Sequence, residues 1–223
     1  MQRTPLKERL LPSYTKAEEI FNTVSHIVGA GFGIIALVLS VIVASIYSDG
    51  FGIVSAAIYG GSMVILYTMS SIYHGLPIGT AKKIFQILDH CTIFLLIAGS
   101  YSPILLTAIR EYSPLVAWLL FGFVWGLSAL GITFCAIDIK KYEKLSMVFY
   151  ILLGWCIVFA APVAIKALSR GALLWLLSGG IAYTVGAVLY GIGNKKRFFH
   201  SVFHIFVVLG SILQFFAILI VLF

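Results

Sequence analysis

Polar residues come in short clusters along this chain. Between them the apolar positions run on without the alternation of a strand or the one-sided stripe of a surface helix. Seven such runs, at roughly 20–47, 51–75, 84–108, 114–137, 146–167, 172–192 and 199–223, each hold about 20 residues or more. At about 1.5 Å of rise per residue, each is long enough as a helix to cross the roughly 30 Å hydrocarbon layer of a bilayer. The breaks carry turn and charge signals: Ser48 to Gly50, Gly75 to Pro77, Tyr112 to Pro114, and the run Asn194 to Arg197. The pattern predicts an all-α, polytopic membrane protein, a bundle of seven transmembrane helices over 20–223 preceded by a terminal segment, 1–19. The loops leave no room for a further domain.

Composition sharpens that picture. Hydrophobic residues make up 61% of the chain and charged residues 10%, with a mean hydropathy of +1.07, whereas a soluble domain carries about 25% charged residues. No short apolar segment followed by a small-residue cleavage site stands near the N-terminus, so the first apolar run is expected to stay in place. Cys91, Cys135 and Cys156 all fall inside apolar runs, which argues against a disulfide framework.

The net charge of +7 would suggest nucleic acid in a soluble protein, but here the cations sit between the apolar runs, so no nucleic-acid partner is expected. Their distribution orients the chain. Arg3, Lys7, Arg9, Lys16, Lys82, Lys83, Lys140, Lys141, Lys144, Lys195, Lys196 and Arg197 fall on one side, and Arg110, Lys166 and Arg170 on the other. Twelve against three predicts a cytoplasmic N-terminus, and seven crossings then put the C-terminus outside. The expected location is the cell membrane, in a bacterium the inner membrane.

On that topology all five histidines lie toward the inner side. Asp89 is about 9 Å beyond Lys83 and His204 about 10 Å beyond Arg197 by the helical rise, so they can share a layer. Ionisable groups at such a depth are costly in lipid and normally face the bundle interior. Three histidines and a carboxylate in one layer suit zinc, which takes neutral imidazoles and keeps an open fourth position in catalytic sites.

Each residue also has a plainer explanation. His200 and His204 share one helix face, reaching either one metal or an interface. His74 can be a metal ligand or a hydrogen-bonded helix end. Asp89 is deeper than a helix cap requires. His90 and Cys91 turn away from the Asp89 face and read as packing residues. Glu18, Asn22 and His26 form a stripe at i, i+4 and i+8, but Thr15 and Glu18 also match a capping box, which would make Glu19 the acidic member of the site. The outer half holds scattered Ser and Thr and Gln214, too little for an ion conduit, and the seventh helix has no lysine for a retinal Schiff base.

Taken in order, Glu18 to His26 (EEIFNTVSH), Ser70 to His74 (SSIYH), Leu88 to His90 (LDH) and His200 to His204 (HSVFH) resemble the hemolysin III branch of the progestin and adipoQ receptor family over nearly the whole chain. The resemblance implies seven helices with the N-terminus inside and a zinc ion held by His74, His200 and His204. It also implies that Asp89 holds or polarises the attacking water, with Ser70 beside it. The family's likeness to alkaline ceramidases implies hydrolysis of a lipid amide. Where the family has an apolar or tyrosine residue after the aspartate, this chain has His90.

A zinc held there would acidify water and polarise a carbonyl, with Asp89 as general base and Asn22, His26 and Glu18 or Glu19 orienting the ligands. A membrane lipid is then the expected substrate or ligand. The alternative is a non-enzymatic, receptor-like membrane protein in which zinc ties helices together. A cytolysin fits poorly, because a secreted pore-former needs a soluble state. Oligomeric state is not legible.

Overall fold

The computed structural model describes residues 4–193 and 196–223. Arg3, Asn194 and Lys195, used above for orientation and loops, lie outside them. Among the described residues there is no strand. Seven helices are long and apolar enough to cross a membrane: α1 (Lys16–Tyr47), α2 (Gly50–Gly75), α3 (Thr80–Tyr112), α4 (Pro114–Ile137), α5 (Ile139–Ala167), α6 (Arg170–Gly193) and α7 (Phe199–Leu222).

Three helix starts differ from the sequence expectation: α3 begins at Thr80 and not near 84, and the other two share one reason. Helix α1 begins at Lys16 and not near 20, because Thr15 and Glu18 form a capping box: Thr15 Oγ1 takes the Glu18 N–H at 3.3 Å and Glu18 Oε2 takes the Thr15 N–H at 2.8 Å. Helix α5 begins at Ile139 and not near 146, because Asp138 accepts the Lys141 N–H at 3.2 Å. A helix continues past the apolar zone until a cap stops it, so Lys140, Lys141 and Lys144 ride on its first turns. The third span likewise runs to Tyr112, carrying Arg110 and Glu111 as helix and not as loop.

The buried residues of α1 trace one face: Glu18, Asn22, His26, Gly29, Gly33, Ala36, Ser40 and Ala44. Small residues on that stripe bring α1 close to α2. A Cβ placed on Gly60 of α2 would lie 2.4 Å from Leu37 Cα, so only glycine permits that approach. Helix α3 is the most buried span and touches α2, α4, α5 and α7.

Two spans are irregular inside the bundle. Pro103 has no N–H to return to α3, and the helix passes through a π-turn at Leu105–Ile109. Helix α5 breaks at Trp155, runs through a 3-10 turn at Cys156–Ala160 and resumes with Pro162 in its first turn. Backbone freed in a membrane must find partners inside the protein. Tyr101 of α3 supplies them: its hydroxyl donates to Gly154 O at 3.0 Å and accepts the Ile157 N–H at 3.3 Å. Tyr101→Phe is therefore expected to cost about 1–3 kcal/mol, the penalty for buried groups left unpaired, read as a lower thermal midpoint in detergent.

Ahead of α1, residues 4–15 lie across one end of the bundle. The Thr4 N–H meets Asp138 Oδ2 at 3.2 Å, Arg9 donates to Ile137 O, and Lys83 Nζ donates to Lys7 O at 2.6 Å. Hydrogen bonds from Thr4, and then from the Lys141 N–H, hold the Asp138 carboxyl below its ordinary range. The stability this gives is present above the ordinary carboxylate pKa and is lost on acidification through the lowered value.

Candidate metal centre

The same end of the bundle gathers three imidazoles from two helices. His74 comes from the last turn of α2, and His200 and His204 from the first turns of α7, one turn apart and on one face as their spacing requires. His204 Nε2 lies 3.0 Å from His200 Nε2, which lies 3.4 Å from His74 Nε2, and one nitrogen from each ring falls within 4.8 Å of the others. Four ligands arranged tetrahedrally at zinc–nitrogen distances of 2.0–2.1 Å stand about 3.3 Å apart. Two of the three separations match that spacing, and the three nitrogens could hold a metal ion. His74 and His204 are buried and His200 half-buried.

Each imidazole is backed by a group from α1 or the segment before it. Glu19 Oε2 lies 2.6 Å from His74 Nδ1, and Asn22 Nδ2 stands 3.4 Å from the same nitrogen. Tyr14 stacks on His200 with ring centroids 4.9 Å apart at 22°, and burial pushes its phenol well above the ordinary pKa, keeping it un-ionised. His26 stacks on His204 at 3.7 Å and 18°. Glu18 reaches the backbone and not a ligand ring: Oε1 accepts the Phe198 N–H at 2.8 Å. Phe198 has φ 61° and no side-chain cap of its own. The carboxylate thus holds a non-glycine residue in the left-handed region where α7 starts, two residues before His200.

Lys82 was legible only as a loop cation, yet its side chain is 3% exposed. Its Nζ lies 3.0 Å from Glu19 Oε1 and donates to the carbonyls of Tyr73, His74 and Leu76. One ammonium thus joins α1, the end of α2 and the start of α3 around His74. Neither Lys82 nor Tyr14 stands in a motif that spacing would single out.

Asp89 and Ser70 share a cavity with His26, His200 and His204. Ser70 Oγ is buried and has no hydrogen-bond partner among the described residues. The Asp89 carboxylate is not among the atoms gathered within 4.8 Å; Oδ2 lies 3.7 Å from His90 Nδ1. His90 does more than pack, against the sequence expectation. It lines the cavity, its Nε2 stands 3.4 Å from the Tyr190 hydroxyl and its Nδ1 2.9 Å from Gln86 O. The 100° step from Asp89 turns its ring toward α6, which spacing alone does not reveal. Cys91 is buried in the core, as a packing residue should be.

The cavity together with the open space at its mouth spans about 1580 Å³ free of atoms. It runs from Asp89 to Ile104 along α3, about 22 Å by the helical rise, and its walls are mostly apolar. Ile151 of α5 and Leu177 of α6 line it and are also 38% and 43% exposed, so the wall between the cavity and the bundle's outer surface is thin there. Trp155 Nε1 bridges that seam to Thr184 Oγ1 at 2.9 Å.

A family model described as "Haemolysin-III related" matches residues 14–215. This chain belongs to that family. Within the haemolysin-III group, "Hemolysin-3" of Bacillus cereus is 38% identical over 202 residues, covering 91% of this chain and 90% of the relative. The likeness extends to the progestin and adipoQ receptor relatives. The human "Monocyte to macrophage differentiation factor" is 26% identical over 222 residues, 97% of this chain and 88% of the relative. A Drosophila melanogaster "Adiponectin receptor protein" is 28% identical over 190 residues, 73% of this chain and 41% of that longer protein. This haemolysin-III protein is accordingly a multi-pass membrane protein with a histidine triad able to hold a metal.

Proposed function

We propose that this haemolysin-III protein is a zinc-dependent hydrolase of a lipid amide or ester, working in the cell membrane from its cytoplasmic side. The observation that carries this is that Asp89 and Ser70 line the same long, apolar and partly open cavity as His200 and His204, two of the three clustered imidazoles. His74, His200 and His204 would hold the ion. Zinc bound there supplies a Lewis acid for a carbonyl and lowers the pKa of water from 15.7 toward about 7.

The chain's own groups then have distinct jobs. The cavity takes an acyl chain along α3 and α7, with the carbonyl at the histidine end. Asp89 takes a proton from the attacking water as the new carbon–oxygen bond forms, then returns it to the leaving amine or alcohol as the old carbon–nitrogen or carbon–oxygen bond breaks. Ser70 Oγ, which has no partner among the described residues, hydrogen-bonds the reacting carbonyl oxygen. Glu19 accepts the His74 Nδ1–H and so leaves Nε2 to the ion.

Asp89→Asn is expected to keep stoichiometric zinc and lose about 100-fold or more in turnover, the low end of what a general base contributes. Zinc analysis beside lipid mass spectrometry of membranes given ceramide-like and ester lipids checks both halves. A variant that keeps zinc and full turnover would remove Asp89 from the mechanism.

A structural zinc tying α2 to α7, in a non-enzymatic signalling or membrane-homeostasis protein, is the second reading. The stand-off of the Asp89 carboxylate toward His90 favours it. On that account, chelation lowers thermal stability while no lipid in the same assay is consumed.

A further inference from the structure

The segment ahead of α1 ends on the metal centre. Tyr14 stacks on His200 and its ring lies 5.6 Å from that of His74. Its position is fixed from both sides. The capping box of α1 begins at the next residue. Upstream, the chain is tied to three different elements: Thr4 to Asp138, Arg9 to the carbonyl end of α4, and Lys83 of α3 to Lys7 O. Arg9 is 8% exposed, whereas Leu10 is 76% exposed. Polar anchors and not apolar burial therefore hold this segment down, and a single substitution can loosen it.

The other approach to the imidazoles is the cavity. At the histidine end its walls carry the carboxyl groups of Asp89 and Glu143, and farther along it is apolar and thinly walled by Ile151 of α5 and Leu177 of α6. An uncharged, lipid-soluble molecule passes such a route more readily than a water-soluble anion.

We propose that the N-terminal segment is a specificity element. Tyr14 closes the aqueous face of the three-histidine site, so a substrate arrives through the cavity from the membrane and soluble amides and esters are excluded. This rests on the metal reading given under Proposed function, and the test contains one arm that does not depend on it.

In the first arm, zinc-loaded protein in detergent is challenged with two chelators, 1,10-phenanthroline, which is uncharged and apolar, and EDTA, a polyanion. The intact protein is expected to lose zinc to phenanthroline about tenfold faster than to EDTA. Arg9→Ala and Tyr14→Ala raise the EDTA rate about tenfold, the factor that corresponds to roughly 1.4 kcal/mol of lost anchoring, and leave the phenanthroline rate within about twofold. Tyr14→Phe, which keeps the stacked ring, behaves as the parent.

In the second arm, metal-free protein carrying His200→Cys is labelled with N-ethylmaleimide or with the anionic sulfonatoethyl methanethiosulfonate, against the parent as background for the three native cysteines. The neutral reagent is expected to label the new thiol and the anionic one to do so only when Arg9→Ala is added. An EDTA rate unchanged by Arg9→Ala and Tyr14→Ala, or equal labelling by the two thiol reagents with the segment intact, overturns the proposal. A protein that takes up no zinc removes the metal reading and the first arm, while the labelling arm still decides whether the segment seals the site.

Discussion

Replacing His204 by alanine is expected to leave the purified protein without stoichiometric metal. His204 is 1% exposed, and its Nε2 stands 3.0 Å from that of His200. Removing an outer partner of a metal-ligating histidine costs about 10- to 100-fold in affinity. Removing one of three ligands themselves should exceed that, more than about 100-fold. The loss also appears in stability. A ligand at 100 times its dissociation constant adds about 2.7 kcal/mol to the folded state. Added zinc should raise the thermal midpoint of the parent protein and leave that of His204→Ala unmoved. Titration with a competing chelator gives the affinity and a melting curve gives the midpoint. Unchanged affinity would remove the histidine from the site.

The second large effect is expected at Glu19. This carboxylate stands between the His74 Nδ1, at 2.6 Å, and the Lys82 ammonium, at 3.0 Å. Glu19→Ala removes the group that fixes the His74 ring, and metal affinity should fall by about 100-fold, the upper end for such partners. Glu19→Gln keeps an acceptor for the ring and should fall by about 10-fold. The cost to the fold is smaller than for an isolated buried pair, because Lys82 retains three carbonyl partners. About 1–3 kcal/mol is expected, against the roughly 3–5 kcal/mol of leaving a buried charge alone. Competition with a chelator, followed by denaturation of the metal-free variants, separates the two effects. Equal affinity in all three proteins would show that Glu19 does not orient His74.

What the sequence reveals and what it hides follow from the range of each signal. The seven spans are legible because lipid demands some twenty apolar residues for each helix, a constraint local to the chain. The pairing of His200 with His204 is legible because helical geometry alone puts them on one face. Convergence of His74 with them needs the burial of α1, α2 and α7 against one another, which the family resemblance suggests and spacing does not. The ambiguity between Glu18 and Glu19 was real: adjacent residues point about 100° apart, and one caps α1 and holds the start of α7 while the other meets His74. Lys82 was invisible as a site residue because a lysine beside a loop ordinarily marks the cytoplasmic side. Only the chain's return past the end of α2 shows its ammonium buried among carbonyls. Tyr14 was missed for the opposite reason, since a polar segment ahead of the first span normally lies free in water. The break in α5 was missed too, because Trp155 to Pro162 is apolar throughout and its turn is set by a tyrosine from another helix.

The central claim, an open zinc site built from three imidazoles, is tested most directly by X-ray absorption at the zinc edge on the purified protein. One zinc per chain is predicted, with three imidazole nitrogens at about 2.0–2.1 Å and an oxygen scatterer in the remaining position. Absence of stoichiometric zinc, or a fourth protein ligand closing the shell, would contradict it.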